Sequence, residues 1–582
     1  MSENKFIWSP LGGLGEVGMN CMVFQFGKTK IPVDAGVVFA DDNDYGVDAV
    51  YPDFRKLLSQ NIKQWLITHG HEDHIGAVPA VLHLCKNLNI EAPHFYAPPL
   101  AYALLNQKLS DSRYTGIQKY RDNIHVVEPG SELTFDDVRV KFIEIRHSTL
   151  ESCSLAFQWK NLKAVHSADF KLDYHEFEDG NISLKSFDIF KGEKADFLFM
   201  DSTNSESSGQ STSEIEIKDN LEKVIKETEG RLFVTLFSSN VYRVALIAHL
   251  AEKCGRRVVL AGRSMRQTYQ AAKTLGLLKK CPPFNETTLI EAEESVNLDP
   301  RKVLVICSGS QGEFRSVLSK IASASHPIFR PNEKDTVLFS SKMIPGNERT
   351  IMRLIDGLLQ HDIQVLWGDK AEEKIGGPIH ASGHGRAEEL KELVRFIKPS
   401  RVIPVHGALH QLKATEELVK EVSDELKTPI ETTIALNNSK LEFEYTGSKW
   451  DLVDHHFETI PQEKFLRFEY FDSPSRDFFL KSRKFAADGG CLSVAISPLG
   501  NVQVEMKGVV PENYNFTNEV SKEKILSEIE NFASHKIKIL EKAGDLRPAK
   551  LPSIKQALEE ELARMVKKQT GSRPLVFVHF AQ

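Results

Sequence analysis

The sequence predicts an α/β protein in three parts: a strand-rich metal-binding domain, an α/β insertion that interrupts it, and a small α+β unit after both. Three observations predict this. An apolar run, Trp65-Leu66-Ile67, leads straight into Thr68-His69-Gly70-His71-Glu72-Asp73-His74, which holds four metal-ligand residues in six positions. Between residues 206 and 370, strand-like and helix-like stretches alternate, the pattern of a parallel sheet covered by helices. Beyond that stretch the run Arg401-Val402-Ile403-Pro404-Val405 reads as a strand and ends in His406, so a ligand type returns after the α/β segment has closed.

Composition narrows the class. A chain of 582 residues is too long for one core. With 41% apolar and 26% charged residues it has the profile of a soluble globular protein. No stretch is apolar for long enough to cross a bilayer, so no membrane partner is expected. The first residues, Met1-Ser2-Glu3-Asn4-Lys5, lack the layout of a signal peptide. Seven scattered cysteines, an odd count without paired spacing, predict reduced thiols in a cytoplasm. A net charge of -7 argues against a broadly basic nucleic-acid coat. It leaves room for a local basic groove or a phosphate-binding metal site.

The elements follow in order. Residues 5–65 read as strands and turns. The run Pro10–Gly18 contains G-x-G-x-x-G spacing, but a strand, Cys21–Phe26, follows where a dinucleotide loop needs a helix, so the run is read as a turn. Asp41, Asp42, Asp44 and Asp48 form an acidic loop that could hold a hard cation such as calcium. Val78–Leu88 has helical spacing. Strands are expected at Ile124–Val127, Val138–Ile145, Ser154–Trp159, Lys163–Ser167 and Phe197–Met200. Ser205–Ser213 is polar and serine-rich and reads as a boundary, with Ser213 capping a helix to Lys226. The α/β segment then places Ser238-Ser239-Asn240, Gly262-Arg263-Ser264, Ser308–Glu313 and Ser341-Lys342 at strand ends, where parallel sheets bind ligands. Small hydroxyl residues, glycines and a few cations suit phosphate.

The metal chemistry can be read from the spacing. In extended chain, residues two apart point the same way, so His69 and His71 can grip one ion. Asp73 and His74 follow as the backbone turns and can reach a second. A lone histidine on a polar loop is ordinarily a surface residue; four ligands at this spacing behind a buried strand are not. His147 and Asp169, each at a strand end, supply what a two-ion site lacks: His147 completes a three-histidine set, and Asp169 can place one oxygen on each ion. His406 is the second ion's remaining candidate. Imidazoles and carboxylates in this number suit zinc.

The loop His69–His74 resembles that of the metallo-beta-lactamase superfamily. Joined to Gly12-Gly13-Leu14-Gly15-Glu16, Asp201-Ser202-Thr203-Asn204, Phe237–Asn240, Gly262–Met265, Ser308–Glu313, His380-Ala381-Ser382-Gly383-His384-Gly385, the His406 strand and Lys568–Pro574, it resembles the beta-CASP branch, and within it the ribonuclease J family, over nearly the whole chain. The resemblance implies an αββα sandwich (residues 1–205 and 371–450) interrupted by a beta-CASP domain (206–370), then a linker (451–470) and a C-terminal domain (471–582). It implies a cytoplasmic, zinc-dependent hydrolase, with manganese or magnesium as alternatives. Such an enzyme cuts RNA from the 5′ end and internally, as a homodimer or homotetramer, and its calcium site would fall on Asp48. On this chain Ser238, Ser239, Asn240, His380, Ala381, Ser382, Gly383 and His384 are expected to bind RNA phosphates, including a 5′-monophosphate. His384 is the expected proton donor, oriented by Asp201, with Asp73 as a ligand in the catalytic set. Two departures stand out: the family usually has a proline and an aspartate after its third histidine motif, where this chain runs His147-Ser148-Thr149-Leu150-Glu151, and residues 464–474 lack its Asp-Gly signature. The alternatives are a DNA-processing nuclease of the same branch and an RNA-binding partner subunit that does not cut.

Overall fold

A computed structural model of the chain describes residues 4–39, 47–110, 116–173, 184–313, 316–344, 346–458, 462–466, 490–497, 502–507, 522–543, 550–570 and 573–580. It divides into two units, residues 1–39 with 50–463, and residues 40–49 with 464–582. Among the described residues no helix is long and apolar enough to cross a membrane. None of the seven cysteines is in a disulfide.

The sandwich of the first unit is built on two sheets. One has eight strands in the order Trp450–Phe457, Ser439–Tyr445, Lys5–Gly12, Cys21–Phe26, Thr29–Val33, Gln64–Leu66, His94–Ala97 and Ile124–Val126. The other has seven: Glu132–Phe135, Val138–Glu144, Cys153–Trp159, Leu162–His166, Phe197–Asp201, Arg401–Val405 and Glu431–Thr432. Alternation along Lys5–Gly12 turns Phe6 and Trp8 inward. Aromatic rings of the two sheets meet between them: Phe24 lies 4.8 Å from Phe157 and 4.9 Å from Phe199, and Phe6 lies 5.2 Å from Phe197. Phe197–Asp201 is buried along its whole length. Helices Ala387–Ile397 and Leu409–Leu426 cover its second face, where Leu198 and Val402 pack with Leu390, Leu393 and Val419. Helix Val78–Leu88 buries Val78, Val81, Leu82 and Cys85 on its own apolar side.

The insertion leaves this sandwich after one strand and returns on its neighbour. Phe197–Asp201 and Arg401–Val405 pair in parallel, Phe197 opposite Arg401 through Asp201 opposite Val405. Asp201 and His406 therefore emerge together at one edge. The insertion is a parallel sheet in the order Arg257–Ala261, Val303–Cys307, Leu232–Thr235, Thr336–Phe339 and Gln364–Leu366, with a separate apolar cluster on each face. Ala371, Ile375, Ile379 and Ala381 belong to one of those clusters, so the insertion's core runs past the boundary expected at 370.

Other expectations shift with tertiary context. Trp450–Phe457 pairs antiparallel with Ser439–Tyr445, so the first part of the stretch expected as a linker is an edge strand. The helix expected from Ser213 begins at Lys218. The G-x-G-x-x-G run is a turn: Gly13, Gly15 and Gly18 sit at φ +88°, +80° and +103°. Its Leu14-Gly15 pairs in parallel with Gly407-Ala408, beside His406. The acidic loop at 41–46 and the side chain of Asp48 lie outside the described residues, as does most of 464–474.

The second unit has a three-stranded sheet in the order Val502–Lys507, Cys491–Ile496 and Leu575–Phe580. Helices Lys522–Lys542 and Leu551–Thr570 pack on it. Ile525, Ile529, Ala533 and Ile537, one helical turn apart, form the buried stripe against Leu492, Val494, Leu562 and Val576.

Candidate metal centre

The strand Gln64–Leu66 ends one residue early, and the chain bends at Gly70 before His71, in extended backbone, starts a single helical turn, Glu72–Ile75. His69 and His71 lie on either side of that bend, while Asp73 and His74 are adjacent on the helical turn. His147, Asp169 and His406 each follow a strand of the second sheet, at Val138–Glu144, Leu162–His166 and Arg401–Val405. The structure brings all seven residues together. Two donor groups form, His69, His71, His147 and Asp169 in one, and Asp73, His74, Asp169 and His406 in the other.

The distances suit metal. His71 Nδ1 lies 3.1 Å from both His69 Nε2 and His147 Nε2. Tetrahedral ligands at zinc distances stand about 3.3 Å apart. In the second group His74 Nε2 is 3.5 Å from Asp73 Oδ2, and His406 Nε2 is 3.3 Å from the same oxygen. Asp169 serves both groups through one atom. Its Oδ2 lies 3.5 Å from His69, 3.8 Å from His147, 3.2 Å from His74 and 3.5 Å from His406. The sequence reading gave one oxygen to each ion; here Oδ2 alone faces both groups, and Oδ1 is buried without a hydrogen-bond partner. Asp169 Oδ2 thus faces four imidazole nitrogens, a donor set suited to a cation; burial disfavours a charged imidazole there, but the neighbouring carboxylates outweigh it at His74, held well above the ordinary imidazole pKa, and at His406, raised to about 9.

The second nitrogen of each Nε2 donor is engaged, which fixes the ring. His147 Nδ1 donates to the Gly383 carbonyl at 2.7 Å and His74 Nδ1 to Asp34 Oδ2 at 2.8 Å. His69 Nδ1 is 3.0 Å from Thr68 Oγ1, and His406 Nδ1 is 2.7 Å from Thr203 Oγ1. Burial holds His69 and His147 well below the ordinary imidazole pKa and brings His71 down to about 4, so these rings are neutral at pH 7, the form that binds metal. Burial opposes ionisation of Asp73 and Asp169, but the surrounding histidines outweigh it and hold both carboxyls well below their usual range.

The insertion and its return reach the same centre. Ser239 Oγ lies 2.9 Å from His71 Nε2. His384 Nδ1 is 2.7 Å from Asp201 Oδ2, and its Nε2 is 3.9 Å from Asp169 Oδ2. Ser382 Oγ accepts from Asn204 Nδ2 at 3.0 Å and from the His384 backbone at 3.1 Å. A Cβ on Gly383 would stand 2.7 Å from the His147 ring, so only glycine fits there. Arg243 is fully buried and ties the expected phosphate residues together: Nη1 to His380 Nδ1 at 2.8 Å, Nη2 to the Ala381 carbonyl at 2.7 Å and to Glu214 at 2.6 Å. Asn240 is occupied on both sides, its Oδ1 capping a helix at Arg243 N and its Nδ2 on Glu214. Its side chain therefore braces the loop, while half-buried Ser238 and Ser239 beside it carry the accessible hydroxyls.

Sequence reasoning missed Asp34, Thr68, Thr203 and Asn20. Asp34 takes Thr68 N, Thr68 Oγ1 and His74 Nδ1 on its two oxygens, each at 2.8 Å. Asn20 Nδ2 reaches Asp73 Oδ2 at 3.2 Å and His74 Nε2 at 3.0 Å. The one available signal was position, since Asp34 directly follows the strand Thr29–Val33 and Thr203 lies two residues beyond Phe197–Asp201.

Comparison with known proteins follows the same division. Residues 15–208 match the metallo-beta-lactamase superfamily, 229–358 match the ribonuclease J beta-CASP domain, and 378–432 match the Zn-dependent metallo-hydrolase RNA specificity domain. A ribonuclease J of Synechocystis sp. is 32% identical over 583 aligned residues, 98% of this chain and 85% of that protein. Ribonuclease J of Helicobacter pylori is 35% identical over 69% of this chain and 55% of its own length, and ribonuclease J 1 of Streptococcus pyogenes is 34% identical over 71% and 70%. Among solved structures, a protein of unknown function from Enterococcus faecalis shares the fold, with a TM-score of 0.50 at 16% identity, over 75% of this chain and 99% of that one. The interrupted sandwich, the strand-end ligands and a relative aligned along nearly the full chain agree: the chain belongs to the ribonuclease J family of the metallo-beta-lactamase superfamily.

Proposed function

We propose that this chain is a metal-dependent ribonuclease that hydrolyses RNA phosphodiesters, 5′-to-3′ from a monophosphorylated end and also internally, in RNA maturation and decay. The observation that carries the reading is the pair of donor groups sharing Asp169 Oδ2, with the Asp201–His384 pair beside them. His69, His71 and His147 would hold one divalent ion and Asp73, His74 and His406 the other, with Asp169 between; zinc fits the donors best, with manganese or magnesium as alternatives. When bound, such ions draw charge from the phosphate and acidify a water.

The remaining work falls to the chain. His384 Nδ1 rests on Asp201, which leaves Nε2 turned toward Asp169 and the donor groups, able to carry a proton to the departing 3′ oxygen. Water oxygen joins phosphorus as the bond to that oxygen breaks, leaving a 3′-hydroxyl and a new 5′-phosphate. Ser238, Ser239, His380 and Ser382 would take RNA phosphates, and a terminal 5′-monophosphate there would set the register of successive cuts. The enzyme would work in the cytoplasm as a homodimer or homotetramer, with Asp48 as the residue for a structural calcium ion.

The test is to replace Asp73 and His74 together and assay 5′-monophosphorylated and 5′-triphosphorylated RNA beside a matched DNA strand. Loss of RNA cleavage with retained fold is expected. Undiminished cleavage by the double variant removes this reading, and faster cutting of DNA than of RNA would turn it toward a DNA nuclease.

A further inference from the structure

One hydroxyl stands between the ligand His406 and the proton-donor pair. Thr203 follows the strand Phe197–Asp201, and its Oγ1 lies 2.8 Å from Asp201 Oδ1, 2.7 Å from His406 Nδ1 and 3.1 Å from the His406 carbonyl. Asp201's other oxygen, Oδ2, is 2.7 Å from His384 Nδ1. One carboxylate therefore orients two imidazoles, His384 directly and His406 through the threonine. The direct path from His406 Nδ1 to Asp201 is 3.8 Å, too long for a hydrogen bond.

The proton count leaves one arrangement that binds metal. An ionised carboxylate only accepts, so the Thr203 hydrogen goes to Asp201, the charged and stronger acceptor. The hydroxyl oxygen then accepts from His406 Nδ1–H. That fixes the His406 tautomer with a bare Nε2, the atom 3.3 Å from Asp73 Oδ2 and 3.5 Å from Asp169 Oδ2. His406 needs such support, since its backbone sits at φ +52°, a conformation that side chains other than glycine keep only when surroundings hold them. Thr203 is itself held, its N–H on Asp201 Oδ1 at 3.0 Å and its carbonyl accepting from Gln411 Nε2.

We propose that Thr203 is a positioning residue that couples the second ion's site to the proton donor: its hydroxyl sets the ring of His406 and, through Asp201, that of His384. This rests on the function proposed above. Losing the hydroxyl then has two separable effects. His406 Nε2 is no longer locked as an acceptor, which weakens the second ion alone. Asp201 also turns without its partner, which misaligns His384 even when both ions are present.

The experiment compares Thr203→Val, nearly isosteric but without the hydroxyl, with Thr203→Ser, which restores it, in the full-length chain. Cobalt(II) titration followed by visible absorption reads the two sites independently of turnover. The valine variant should bind its first ion as wild type does and its second roughly 10–100-fold more weakly. The serine variant should follow wild type. At cobalt concentrations that fill both sites, kcat of the valine variant on RNA should stay lowered with KM unchanged, while hydrolysis of a p-nitrophenyl nucleotide diester, whose leaving group needs no proton, should match wild type. A wild-type second-ion affinity in the valine variant overturns the proposal. So does an equal loss on RNA and nitrophenyl ester at full occupancy, or a serine variant as weak as the valine one. Should the valine variant fail to fold, Thr203→Ala is read by the same criteria. A wild-type chain that takes up no second ion sinks the reading of the site itself, and the role of Thr203 with it.

Discussion

At the scale of single residues, the site is held by atoms outside the two donor groups. Gly383 shows this most sharply, because its carbonyl fixes His147 and its missing side chain leaves room for that ring. Gly383→Ala is expected to push His147 aside, lower metal retention after dialysis and cut RNA cleavage by roughly 10–100-fold, with an unchanged far-ultraviolet spectrum. A variant with normal metal content would show that the ring can relax. Away from the site, Asp196 makes a pH prediction. Burial raises its carboxyl from the ordinary value of 3.8 to about 6, against the opposing hydrogen bond from Lys163 N and the charge of Lys163. The native state thus binds more protons than the unfolded chain between those values, so stability falls as pH rises through that window and stays reduced above it. Asp196→Asn should raise the melting temperature at pH 7.5 and leave it unchanged at pH 4; a gain of equal size at both pH values would contradict this.

Elements decide which of these residues meet. The sandwich core is the most demanding part, since Phe24 touches rings on two strands of the opposite sheet and is fully buried. Phe24→Ala should lower unfolding stability by about 3–5 kcal/mol in urea titration, whereas a loss below about 1 kcal/mol would mean the two sheets do not share this core. Much of this layer was legible in sequence. Cys21–Phe26, Val78–Leu88 and Arg401–Val405 have the bounds their periodicity suggested, because each is a strongly patterned segment whose burial agrees with its local preference. The His69–His74 loop was legible because its ligands are close in sequence. The roles of Asp34, Thr203 and Asn20 were not, because they come from partners that only the fold brings near; Thr203 stood in the quoted run Asp201-Ser202-Thr203-Asn204, but nothing there showed that its hydroxyl meets His406. The stretch 451–470 was read as a linker; its first part belongs to the edge strand Trp450–Phe457, which pairs on one side and leaves Asp454 and His455 exposed.

For the whole molecule, the interruption is what makes the site. The chain leaves at Asp201, builds a separate, parallel sheet, and returns beside the strand it left, so that His384 and His406 close a centre begun at His69. The central claim is that two ions share one aspartate oxygen at that closure. The most direct measurement is an anomalous difference map from crystals of the metal-loaded protein. Two peaks about 3.5–4 Å apart are predicted, one among His69, His71 and His147 and one among Asp73, His74 and His406, with Asp169 Oδ2 between them. A single peak in fully loaded crystals, or two peaks that Asp169 does not join, would contradict the account.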